Sequence, residues 1–194
     1  MTAIRVGKRF FVAANWATEL HAAAGGSRSP SVAQVLGVAS LVLGDGGTHR
    51  EAIAGMIVDG ARGADVDRRV LRARIGKKGA RLVAACADVL LDATRLDEER
   101  DPSVLRVCAA VTIRDVQELV RDIRRHGSVA FARHADPPPK VLERYRHLVA
   151  VFRRGLSRDS RLTPELRASV AELERNAELE TAIAAWRVAH VDAA

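Results

Sequence analysis

Between Pro102 and His126 the apolar residues Leu105, Cys108, Val111, Val116, Leu119, Val120 and Ile123 recur at helical spacing. The ends are signposted as clearly as the middle. Asp101 can cap the first turn, Pro102 suits the first helical position, where its missing N–H is not needed, and Gly127 stops the run. No segment alternates polar and apolar residues between hairpin turns, so the fold class expected is all-α.

The rest of the chain divides in the same manner. A first helix is expected from Lys8 to Ala23, with Phe11, Ala14, Trp16 and Leu20 facing inward, before the Gly25-Gly26-Ser27-Arg28-Ser29-Pro30 loop. Ser31 can cap a second helix that buries Val32, Val35, Leu36, Ala39 and Val42 and ends at Gly44. Thr48 and Glu51 have capping-box spacing, which predicts a third helix from His49 to about Asp59 with Gly60 as its stop. Asp65 to Ala73 reads as a short basic helix, and Gly76 opens another bearing Leu82, Val83, Cys86, Val89 and Leu90. Thr94 to Arg100 reads as a linker or frayed end. Beyond the stiff Pro137-Pro138-Pro139 break, helices are expected from Val141 to Arg154 and from Thr163-Pro164 to roughly Val188. Nothing divides the 194 residues into two domains, so one domain is expected, with the terminal helix, about 163–188, covering it.

Composition then removes function classes. Formal charge is +7 and the pI near 10.4, which raises nucleic acid as a partner. Yet only Lys8, Lys77, Lys78 and Lys140 among the 31 basic residues are lysine, and aromatic side chains interleaved with basic ones, which would stack on bases, are nearly absent. Nucleic acid is therefore disfavoured. Lys77-Lys78 and Arg124-Arg125 read as solvated helix faces. Cys86 and Cys108 lack metal or disulfide spacing and read as small core residues in a reducing, cytoplasmic setting. The longest uncharged apolar stretch, Val32 to Leu43, is about 12 residues where a span needs about 20, so no membrane association is expected.

The order of certain segments carries more information. Glu19-Leu20-His21, Gly37-Val38-Ala39-Ser40-Leu41-Val42-Leu43, Glu51-Ala52-Ile53-Ala54-Gly55-Met56-Ile57-Val58-Asp59, Ala84-Ala85-Cys86-Ala87-Asp88, Val107-Cys108-Ala109-Ala110 and Tyr145-Arg146-His147-Leu148-Val149 together resemble the HD-domain metal-dependent phosphohydrolases, and within them the guanosine-polyphosphate (alarmone) pyrophosphohydrolases. The resemblance spans roughly residues 10–175 and implies a compact HD-type helical bundle. It also implies one divalent metal, held by a histidine of the second helix, an adjacent His-Asp pair ending the third and an aspartate of the long later helix. Here those positions read Gln34, Val58-Asp59 and Val111. Valine has no donor atom, so neither a metal nor another cofactor is expected.

Other functions of such a site are changed as well. The acidic pair that helps the attacking water reads Arg62 and Gly63, the phosphate-gripping loop keeps one cation, Arg28, and the asparagine four residues beyond the metal aspartate reads Asp115. The leading expectation is a degenerate HD-domain protein acting as a ligand-binding or protein-interaction module, with Gln34, Val58, Arg62, Val111, Arg114 and Arg28 around the old pocket. A small-molecule ligand and a second copy of the chain are its candidate partners. The runner-up is a metal-independent enzyme using Asp59 and Asp115 as paired carboxylates, with His21 as general base. Residual guanosine-polyphosphate pyrophosphohydrolysis stands third.

Overall fold

A computed structural model describes residues 7–23, 32–134 and 136–191. Arg28, its glycine-rich loop and Ser31 lie outside the described residues, as do the side chains of Val32 and Trp186. Among the described residues there are eight α-helices and no strand: α1 Lys8–Ala23, α2 Val32–Gly44, α3 His49–Gly63, α4 Arg68–Leu91, α5 Ala93–Glu98, α6 Pro102–His126, α7 Pro138–Gly155 and α8 Leu162–Val191, with a 3-10 helix at Gly127–Arg133. The all-α expectation holds.

Helix α6 is the axis of the bundle. Asp101 caps it through the Ser103 N–H, and Gly127 ends it with φ 65, as its sequence predicts. All seven residues of its apolar stripe are buried, as are Val104, Val107, Ala109, Ala110, Thr112 and Ile113. Over 104–113 only Arg106 is not buried, so α6 is enclosed on every side there rather than on one face. It packs against α2, α3 and α4 on one part of its circumference and against α7 and α8 on another. Leu166, Val170 and Leu173 of α8 are 0–4% exposed, so this helix covers its own chain's core.

Several local expectations are corrected by packing. On α1 the inward residues are Phe10, Ala13, Trp16, Ala17 and Leu20, while Phe11 is 64% exposed; of two adjacent phenylalanines, the one in phase with Ala13, Ala17 and Leu20 goes inside. Leu36 on α2 is 40% exposed for the same reason, out of phase with Val35, Val38, Ala39 and Val42. The segment read as a linker at Thr94 to Arg100 contains α5, capped by Asp92 and anchored by buried Leu96. Prolines 138 and 139 begin α7 rather than precede it, which their fixed φ and missing N–H allow in a first turn. The basic helix expected from Asp65 starts at Arg68 under an Asp67 cap and joins the next as α4, with Gly76 (φ 78, ψ 167) breaking the helical path between them. Cys86 and Cys108 are fully buried free thiols, and the interaction with Cys108 together with burial raises the Cys86 thiol well above its ordinary value.

The correction that matters most for function concerns Gly60. It does not stop α3, which continues to Gly63. Instead Gly60 is buried where α1 crosses, and a Cβ there would lie 2.9 Å from Leu20 Cβ and 3.1 Å from the His21 nitrogen. Neither neighbour is the free end of a flexible side chain. Gly60→Ala is therefore expected to push α1 from α3 and destabilise the fold by about 1–3 kcal/mol, read by urea unfolding.

The opposite end of α3 is fixed by charge. Thr48 and Glu51 form the predicted capping box, and Glu51 Oε1 accepts from Arg106 Nη1 at 2.6 Å. Arg106 Nε also donates to Asp45 Oδ2 at 3.0 Å, while Asp45 Oδ1 accepts from Ser160 Oγ and the Arg161 N–H. One ion cluster thus joins the end of α2, the start of α3, α6 and the turn before α8.

Candidate functional site

His21 and Asp59 come together where the C-terminal ends of α1 and α3 meet across Gly60. Burial holds the His21 imidazole below its ordinary value of 6.5, against the opposing charge of Asp59, a hydrogen bond with the Met56 backbone and the charge of Glu118. Burial raises the Asp59 carboxyl, against Arg62 and His21, and the negative charge of Glu118 adds to the rise. Arg62 Nη1 lies 4.0 Å from Asp59 Oδ1, at the limit of an ion pair one helical turn away. His21 is therefore neutral at pH 7. Its depressed value means the stability linked to the neutral ring is complete above pH 6.5 and is lost as pH falls through the folded-state value. An NMR titration of His21 should give a midpoint below 6.5; one at or above 6.5 contradicts this environment.

Two other residues expected at the site, Gln34 and Arg114, stand on α2 and α6, and Arg114 shares with the pair the charge of Glu118. Gln34 is half-buried. One turn on, Gly37 leaves room for the Arg114 guanidinium, because a Cβ there would stand 2.8 Å from Arg114 Nε. Arg114 Nη1 donates to Gln117 Oε1 at 2.7 Å, and Gln117 reaches Glu165 on α8 at 3.2 Å. Among the described residues Arg114 Nε is a buried polar atom without a hydrogen-bond partner. Burial and the charge of Arg121 lower the Arg114 guanidinium, against Glu118 and Asp115.

Asp115 is exposed, and its charge acts on Arg114. The α6 carboxylate felt at both His21 and Asp59 is Glu118, a residue absent from the sequence reading. Its position held a usable signal: Glu118 follows Val111 by two helical turns and so shares its face. Val58 and Val111 are 0% and 1% exposed, so neither borders a space that water enters. Both belong to the hydrophobic core.

A comparison with known families matches the HD domain to residues 13–124, more than half of the chain. The chain belongs to the HD domain family. No curated protein matches it. The matched segment runs from α1 through most of α6 and contains Gln34, Val58, Asp59 and Val111, the positions where metal donors are expected. In this HD domain protein those positions do not fit a divalent ion. Two are buried hydrocarbon, Gln34 offers an amide, and Asp59 faces a cation. Among the described residues no group of three or more His, Cys, Asp or Glu side chains is placed to hold a metal. Among the same residues no helix is long and apolar enough to cross a membrane.

Proposed function

We propose that this HD domain protein descends from alarmone pyrophosphohydrolases, no longer performs their metal-dependent hydrolysis, and acts as a ligand-binding or protein-interaction module. The observation that carries this reading is the closure of the core around Val58 and Val111. An ion in the family position needs donors there and room for an activated water, whereas both side chains are apolar and packed away from solvent. The resemblance puts an acid that assists that water where this chain has Arg62, which lies 4.0 Å from Asp59.

Metal analysis of the purified chain, paired with an assay of pyrophosphate release from guanosine polyphosphate in excess manganese, tests the proposal. Less than stoichiometric transition metal and no release are expected. A stoichiometric metal with turnover would overturn it in favour of residual hydrolysis.

A second reading is favoured by one observation. Neutral His21 beside Asp59, whose carboxyl is raised, is an acid–base pair at the protein surface, suited to metal-independent proton transfer on a small organic substrate. If that reading holds, turnover of such a substrate should disappear in His21→Gln and persist in Asp115→Asn, because Glu118 rather than Asp115 acts on the pair.

A further inference from the structure

A basic concavity lies at the far end of α3 from Asp59. Glu51 and Asp59 are eight positions apart, about 12 Å along the helix, so the two places are distinct. The cleft has a volume of about 440 Å³ and is walled by the starts of α3 and α6 and by one face of α4. Lys78, Arg81, Leu82 and Ala85 follow the helical repeat i, i+3, i+4, i+7, so the part of α4 beyond the Gly76 break presents two cations and two apolar side chains together. Arg50, in the first turn of α3, completes the basic set.

None of Arg50, Lys78 and Arg81 has an ion-pair or hydrogen-bonding partner among the described residues. This contrasts with the floor of the cleft, where Glu51 is already satisfied by Arg106 and the capping box. Asp101 in the wall is likewise engaged with the Ser103 N–H. Three cations without an ion-pair partner among the described residues therefore line one concave space, beside two carboxylates that are already hydrogen-bonded within the protein.

We propose that this cleft binds a phosphate-bearing small molecule, its phosphate held by Arg50, Lys78 and Arg81 and its organic part resting on Leu82, Ala85 and Val104. Two features favour a compact ligand over a nucleic-acid strand. The carboxylates of Glu51 and Asp101 interrupt the basic wall, which opposes a continuous polyanion, and no aromatic side chain lines the cleft to stack on a base. Lys78, read from sequence as part of a solvated face, becomes a ligand contact. The inference is independent of the His21 and Asp59 pair.

Isothermal titration of the full chain with inorganic pyrophosphate tests it. Saturable one-to-one binding is expected, weakened at least about tenfold for each cation removed in Lys78→Gln and Arg81→Gln. Arg124→Gln/Arg125→Gln, which removes two exposed arginines elsewhere, should leave binding unchanged. All three residues of the basic set are exposed, so their variants should keep the wild-type circular dichroism and unfolding midpoint. Absence of pyrophosphate binding overturns the proposal, and so does an equal loss in the Arg124/Arg125 variant. Binding of a DNA duplex that depends on Lys78 and Arg81, without binding of pyrophosphate, would reassign the surface to nucleic acid.

Discussion

Arg106→Met is expected to lower the stability of the protein by about 3–5 kcal/mol, because it strips the counter-charge from two buried carboxylates at once. The side chains of Asp45 and Glu51 are 2% and 5% exposed, while Arg106 itself is 22% exposed. Methionine keeps much of the arginine stem's volume, so the loss reports charge rather than a cavity. The same substitution should change acid sensitivity. Burial pushes the Glu51 carboxyl up, but hydrogen bonds from Thr48, Arg106 and Ser103 outweigh burial and hold it below 4.5 in the folded state. The folded protein then binds fewer protons than the unfolded chain. The stability from Glu51 is complete above pH 4.5 and lost as pH falls through the folded-state value. Without Arg106 that value rises and acid unfolding begins at higher pH. Urea unfolding of both proteins across a pH series measures both effects, and a loss under about 0.5 kcal/mol would show the cluster to be no better than a surface pair.

The second large effect is expected from rebuilding the family's donor set. Val111→Asp alone places a carboxylate at a position 1% exposed and should destabilise by about 3 kcal/mol or more. Combined as Gln34→His, Val58→His and Val111→Asp, with Asp59 as the fourth donor, the substitutions should recover stoichiometric manganese binding. The metal should then restore stability, by about 2.7 kcal/mol at a hundredfold excess over Kd. The helices that carry these positions still fall within the segment matching the HD domain, which is why binding is expected. A triple variant that folds but binds no manganese in a calorimetric titration would show that α2, α3 and α6 have moved apart from the ancestral geometry.

The lengths and order of the helices were largely readable because their ends carry chemistry of their own. Asp101, Pro102 and Gly127 bracket α6, and Thr48 with Glu51 opens α3. Gly60 was misread because a glycine that ends a helix and a glycine that admits a neighbouring helix look alike in sequence; the crossing of α1 decides between them. Phe10 and Phe11 posed the same difficulty, since the face of a helix is fixed by what it packs on. That Val58 and Val111 offer no donor atom was legible because donor capacity resides in residue identity. Glu118 was not, as its bearing on His21 and Asp59 depends on how α6 lies against α1 and α3. Nor was the Arg50, Lys78 and Arg81 cleft, whose walls come from three helices, α3, α4 and α6.

Asp45 has a consequence for how this protein can be divided. Its bonds to Ser160 and Arg161 tie points 115 and 116 positions apart, joining the matched segment to chain beyond it. Leu162, Leu166 and Leu173, all 0–1% exposed, lie beyond residue 124 too, on the helix that packs against α6. What inheritance marks as a unit is therefore smaller than what the chain must assemble to hide its interior. A fragment cut at the homology boundary would keep the ancestral pattern and lose the cover over its central helix.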